Sequence, residues 1–275
     1  MRYVAFIDTL GFKQQLLGIS HDEAKSLIQG FNQEIYHLWS ELGYHNDASI
    51  KGRTFSDSLV IFTEGTTIEQ LRKLIHFLVR LYRVSLVKCG LPLRGGIAVG
   101  EYDDIQATEF NNLQKGIVVG SAFIDAYALE SANGIKGSKI LFRQEIKLKI
   151  ERSIPGYEVK GVKKDSNGNE IYELKWGDIS YLVEESYLSL SKFVEIACKS
   201  KWLDHYFCTL DTYLAGETKE DKRDLYIKII GMIDAKHGYT ELDAFIENFM
   251  KLSCSAQLKK NFLGFIREHI SKKST

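Results

Sequence analysis

The chain has 275 residues, 44% of them hydrophobic, which is enough apolar material for a large core and, by its length, for two domains. Its 36 basic and 36 acidic side chains give a formal net charge of +0, which excludes an electrostatic case for nucleic acid or an anionic membrane as the main partner. The four cysteines, Cys89, Cys198, Cys208 and Cys254, form no close pair of the kind that binds zinc or runs dithiol chemistry, and read as buried thiols of a cytoplasmic protein.

Met1-Arg2-Tyr3 enters a short strand directly, without a long apolar leader, and no stretch approaches the roughly 20 apolar residues that span a bilayer. The expectation is a soluble, cytoplasmic protein. The first strand is rich in β-branched and aromatic residues and carries Asp8 at its carboxyl end, just before Gly11, on a path from sheet edge to core. Ala24, Leu27, Ile28, Phe31, Ile35, Leu38 and Leu42 then recur at helical spacing over residues 21–42. Residues 48–55 and 58–62 read as two strands, with Asp57 at the tip between them.

Thr66-Thr67 ahead of Glu69 and Gln70 starts a second helix, whose apolar stripe is Leu71, Leu74, Ile75, Leu78, Val79 and Tyr82. A strand over 93–99 follows, then a polar stretch through Asn111 and Asn112, and residues 116–119. A short helix over 121–132, a strand over 139–142, and a hairpin of 157–162 with 170–174 complete this part. The Asn167-Gly168 turn is a strong local hairpin signal. This β-α-α-β-β-α-β-like order predicts an α+β domain over 1–177, with helices on one face of an antiparallel sheet. After Trp176-Gly177 the periodicity is helical alone, over 183–199, 202–215, 221–235, 240–252 and 256–270, which predicts an all-α region over 178–275 with no catalytic role.

Asp8 and Asp57 stand out because each interrupts a buried-strand pattern, and an isolated carboxylate costs several kcal/mol or more to take out of water. A strand end beside a hairpin tip can bring two carboxylates together over one divalent cation. Magnesium and manganese suit such oxygen ligands, usually one or two carboxylates completed by water and substrate phosphates. Taken singly, each aspartate could instead cap a turn. Other chemistries find no support: the seven histidines form no His-Glu-x-x-His, no Gly-x-x-x-x-Gly-Lys-Ser/Thr loop occurs, and Gly95 to Gly100 opens a strand where a dinucleotide loop would open a helix.

The succession Phe6-Ile7-Asp8, Phe55-Ser56-Asp57-Ser58, Leu93 to Gly100, Gly120-Ser121-Ala122-Phe123 and Val159-Lys160-Gly161-Val162 resembles the catalytic domain of the class III nucleotidyl cyclases, over residues 1 to about 176. Within that superfamily the chain is most similar to the pyrimidine cyclases of the bacterial Pycsar antiphage system, which share the opening Phe6 to Lys13 and the Phe55-Ser56-Asp57 run. Arg94-Gly95-Gly96 differs from the acidic double-glycine signature of diguanylate cyclases. The resemblance implies catalytic Asp8 and Asp57, and two Mn2+ or Mg2+ ions per site, one held by Asp8 and Asp57 with the Thr9 region nearby and a second on the leaving phosphates. It implies Arg53, Phe55, Arg94, Ile117 and Lys160 as substrate-binding candidates, Lys160 at the position that contacts the triphosphate. Lys160 could equally be a solvated hairpin charge, and Arg94 part of a sheet-edge ion pair.

Two departures from the purine cyclases bear on the substrate. Ile124 and Ala128 stand where those enzymes carry an Asn and an Arg, and Arg53 and Ile117 stand where ATP-specific members carry a Lys and an Asp. The resemblance thus implies a uridylate or cytidylate cyclase, acting as a head-to-tail homodimer because class III sites are shared between two domains and this chain has one. Its cyclic nucleotide would act on a separate effector. Loss of the Asn and Arg also fits a domain that binds nucleotide without turnover, and a purine cyclase with unusual base contacts stays open.

Overall fold

The computed structural model describes residues 1–16, 19–110, 113–177 and 256–273, together with His205, Cys208, Thr209, Thr212 and Met250. The elements in chain order are β1 (Arg2–Thr9), α1 (Phe12–Leu16), α2 (His21–Glu41), β2 (Ile50–Phe55), β3 (Ser58–Thr63), α3 (Ile68–Val84), β4 (Leu93–Gly100), β5 (Asp103–Phe110), β6 (Leu113–Val119), α4 (Ser121–Glu130), β7 (Ile140–Arg143), α5 (Gln144–Ser153), β8 (Val159–Lys164), β9 (Glu170–Leu174) and α6 (Ala256–Lys273).

The two long helices start where local chemistry dictates. Ser20 and Glu23 form a reciprocal capping box at the head of α2, and Thr67 and Gln70 do the same for α3, so the first orphan amides of each helix find side-chain acceptors. The apolar stripes then turn Phe31, Ile35 and Leu38 of α2, and Leu71, Leu74, Ile75 and Leu78 of α3, into a common core.

Among the described residues, seven strands form one sheet in the order β2-β3-β1-β4-β7-β9-β8. Every pairing in it is antiparallel except β4 with β7, which is parallel. β1 is interior, hydrogen-bonded on both sides, where the sequence suggests a course from the edge inward. Alternation along β1 decides what each face meets: Tyr3, Ala5 and Ile7 join the core under α2 and α3, while Val4 lies in a second cluster with Val60, Phe62, Tyr102 and Ala122, against which Phe6 packs. Helices therefore cover both faces, with α4 opposite α2 and α3, and the expectation of helices on one face is corrected. The hydrophobic pattern of β1, apolar at nearly every position, is that of a strand covered on both sides.

α4 sits directly on β4. A Cβ added at Gly96 would lie 2.3 Å from the Ala126 carbonyl oxygen and 2.5 Å from Leu129 Cβ, so only glycine admits the helix this close. Three elements escape the sequence reading: the short α1, β5 and α5. The polar stretch before Asn111 is strand β5, which among the described residues pairs only with β6 in a separate hairpin and lacks the apolar alternation of a core strand. Helix α5 turns only Ile146 and Ile150 inward, and its Ile-Lys-Leu-Lys-Ile run alternates as a strand would.

Trp176 closes the sheet portion. It is fully buried, donates from Nε1 to the Ser138 carbonyl at 3.0 Å, and accepts on its own carbonyl from Arg83 Nε at 2.6 Å. Cys208 and, from α6, Leu258 and Ile266 belong to the same buried cluster as α2 and α3, and the Ser138 amide donates to Thr209 Oγ1 at 2.9 Å. Most of 178–275, including nearly all of the helices expected over 183–252, lies outside the described residues. No described helix is long and apolar enough to cross a membrane.

Candidate active site

Asp8 occupies the penultimate position of β1, and its register partners are Ser58 on β3 and Arg94 on β4. Ser58 in turn faces Phe55 on β2. Directly paired residues of antiparallel strands point to the same side, so Asp8, Ser58, Phe55 and Arg94 form one row on the α4 face of the sheet. The next row is Arg53, Val60, Phe6 and Gly96.

β2 and β3 are joined by the two residues Ser56 and Asp57, and Ser56 takes the positive φ of 54° that a tight hairpin turn demands. This turn sets Asp57 beside the end of β1. Thr9, 2% exposed, donates its hydroxyl to the Asp57 carbonyl at 3.0 Å and ties strand end to hairpin tip. Ser58 Oγ donates to Asp8 Oδ1 at 2.7 Å. Burial raises the Asp8 carboxyl from its usual 3.8 to about 6, the Ser58 hydrogen bond opposes that rise, and the nearby Asp57 and Glu130 charges add to it.

These residues fit a hard divalent cation. The Asp8 carboxyl is partly desolvated and lies near enough to the Asp57 charge to be raised by it, a place that favours a compensating positive charge, and oxygen donors of this kind suit Mg2+ or Mn2+. Among the described residues no group of three or more His, Cys, Asp or Glu side chains could hold a metal ion.

The remaining candidates divide into near and far. Phe55 is 47% exposed at the end of β2, and Arg53 lies two residues before it on the same face. Arg53 Nε pairs with Asp104 Oδ2 at 2.6 Å, which fastens the β5–β6 hairpin across β2. Ile117 of that hairpin faces Ile105, and both are exposed. Arg94 lies opposite Asp8 but turns to Glu130, donating from Nε and Nη2 to Glu130 Oε1 at 3.0 and 2.9 Å. Lys160 is exposed on β8, four strands from β1, about 19 Å across the sheet at the usual strand spacing. The fold thus gathers Asp8, Thr9, Asp57, Phe55 and Arg53 and separates Lys160 from them.

Three residues at the site escape the sequence reading. Ser58 is simply the residue after Asp57, and Asp104 lies in the unforeseen strand. Glu130 carries a usable signal, a carboxylate closing the apolar run Ala126-Tyr127-Ala128-Leu129, since an acidic side chain in such a place is seldom buried without a partner. Ile124 and Tyr127 of α4 are exposed, and Tyr127 meets Phe6 edge-on at 5.2 Å.

No family model matches the chain, and no curated protein matches it in sequence. Solved structures do. The catalytic core of a rhodopsin-guanylyl cyclase with converted specificity, in complex with ATPαS, matches with a TM-score of 0.50 at 14% identity, covering 63% of this chain and 93% of that one. The adenylyl cyclase CyaB from P. aeruginosa matches at 0.47 and 16% identity, over 63% and 92% of the two chains. The guanylate cyclase domain of RhGC from Catenaria anguillulae, in complex with GTP, matches at 0.48 and 13%, over 63% and 94%. The first of these likenesses shows the fold: this chain has the α+β architecture of a nucleotidyl cyclase catalytic domain.

Proposed function

We propose that this protein is a class III nucleotidyl cyclase that converts UTP or CTP to the 3′,5′-cyclic monophosphate and pyrophosphate. The observation that carries the reading is the convergence of Asp8 and Asp57, from a strand end and a hairpin tip, on one face of a sheet with the cyclase fold. The pyrimidine assignment rests on the likeness of Phe6 to Lys13 and of Phe55-Ser56-Asp57 to the Pycsar cyclases, and on Arg53 and Ile117 at the positions where purine enzymes read adenine. In that system the cyclic pyrimidine is made during phage infection and acts on a separate effector protein.

Asp8 and Asp57 would hold Mg2+ or Mn2+, with Ser58 hydrogen-bonded to the Asp8 carboxylate and Thr9 tying the Asp57 backbone beside it. When bound, such ions lower the pKa of the substrate's 3′ hydroxyl and neutralise charge on the departing pyrophosphate. The protein's own part is positioning: it folds the triphosphate so that the hydroxyl lies in line with the α-phosphorus, with no covalent intermediate. Arg53 and Phe55 lie two residues apart on the same face as Asp8, where they would meet the base, with Arg53 held in place by Asp104. Lys160 is too distant to reach a triphosphate held at Asp8 of its own chain. A homodimer in which Lys160 of one copy faces Asp8 and Asp57 of the other resolves that separation.

The test is incubation of the purified protein with each of the four ribonucleoside triphosphates and Mn2+, with products identified by mass spectrometry and Asp57→Ala as control. A cyclic pyrimidine nucleotide, lost in the variant, is expected. Cyclic AMP or cyclic GMP would make this a purine cyclase. A second reading, a domain that binds nucleotide without turnover, is favoured by Ile124 and Ala128, which offer no donor from α4, and predicts triphosphate binding with no product.

A further inference from the structure

Arg94 and Asp8 are direct register partners across β4 and β1 and share one face of the sheet. Side chains so placed have Cβ atoms about 5 Å apart, and opposite charges there ordinarily pair. In this protein they do not. The Arg94 guanidinium turns toward the last residue of α4 and gives two N–H groups to the single oxygen Glu130 Oε1. Glu130 is 7% exposed, and the Arg94 side chain is also largely covered. The close seat of α4 on Gly96, two residues along β4, places Glu130 there.

Asp8 and Asp57 together carry two negative charges, which match one divalent cation, and Arg94 with Glu130 sums to zero. Pairing Arg94 with Asp8 instead would leave that total unchanged, because Glu130 would then stand unpaired beside the site, but the partly buried Asp8 carboxylate would already be occupied by the guanidinium. We propose that Glu130 is a positioning residue that holds the Arg94 guanidinium away from Asp8 and so keeps the Asp8 carboxylate available to a divalent cation. The inference rests on the cation-binding reading of Asp8 and Asp57 and adds a residue that never touches the cation.

The experiment titrates the full chain with Mn2+ alone and follows unbound Mn2+ by electron paramagnetic resonance. Glu130→Gln leaves Arg94 buried without its carboxylate, so the guanidinium turns to the carboxylate opposite, and Mn2+ affinity falls by about tenfold or more. Adding Arg94→Met to Glu130→Gln removes the competitor, and affinity returns to within about threefold of the parent. An unchanged affinity in Glu130→Gln overturns the proposal, and so does a double variant as weak as the single one. If Glu130→Gln alone fails to fold, the double variant, which removes both charges of the Arg94–Glu130 pair, decides: retained Mn2+ binding supports the proposal and lost binding in the folded protein overturns it. A parent protein whose Mn2+ binding is absent, or indifferent to Asp57→Ala, instead overturns the cation site itself and the proposal with it.

Discussion

Ser58 faces Asp8 across β3 and β1, and its hydroxyl donates to Asp8 Oδ1 at 2.7 Å. The hydroxyl thus favours the ionised carboxylate against the burial that disfavours it. Ser58→Ala is expected to shift the acidic limb of the pH–rate profile upward while lowering kcat less than about tenfold, since the carboxylate itself remains. Asp8→Asn and Asp57→Asn are expected to cost at least about 100-fold in turnover by any triphosphate, measured by product mass spectrometry.

Cation and proton compete for Asp8. The folded chain holds this proton more tightly than an unfolded one, with a carboxyl near 6 against the usual 3.8. The stability so gained is fully present below 3.8 and is lost as pH rises through about 6. Without divalent cations the thermal midpoint should therefore decline across that interval. With Mn2+ present the decline should be offset above about pH 6, where the cation binds the ionised carboxylate. Thermal melts at a series of pH values, with and without Mn2+, measure both.

Shared sites make a sharp statement about mixtures. Asp57→Ala and Lys160→Ala chains should each be inactive alone. Co-refolded in equal amounts, half of the dimers are mixed and each has one intact site, so about 25% of the parent activity should return. Failure of any activity to return, with dimers demonstrated, would place Lys160 outside the site.

Gly96→Ala puts a methyl group against the backbone of α4, 2.3 Å from the Ala126 carbonyl oxygen. Neither partner is a flexible side chain, so helix and strand must part. A loss of about 1–3 kcal/mol, read as a fall of several degrees in the thermal midpoint, is expected. Gly30→Ala in α2, where an added Cβ meets nothing within 4 Å, should be neutral or stabilising and serves as the control.

Much of this protein is legible before folding because short-range rules decide it. The helix start at Thr67 follows from capping chemistry, the helix over 21–42 from its apolar spacing, and the Asn167-Gly168 hairpin from turn chemistry. The conspicuous aspartates follow from the cost of charge in a buried strand. Asp57 at a hairpin tip is visible for the same reason, since a two-residue interruption between two apolar runs leaves few alternatives.

What only the tertiary structure decides is which of these residues meet. The interior place of β1, the row joining Asp8, Ser58 and Phe55, and the tie from Thr9 to Asp57 depend on strand order and register, which no local pattern encodes. Arg94 shows the limit most clearly: its place at the head of the Leu93 to Gly100 run makes it a substrate-binding candidate, while the seat of α4 on Gly96 hands its guanidinium to Glu130, 36 residues later. Lys160 shows the converse, a residue adjacent to the site by motif and four strands from it in space. Local sequence sets propensity and charge, but pairing energies act between residues that only the folded sheet brings within a few ångströms.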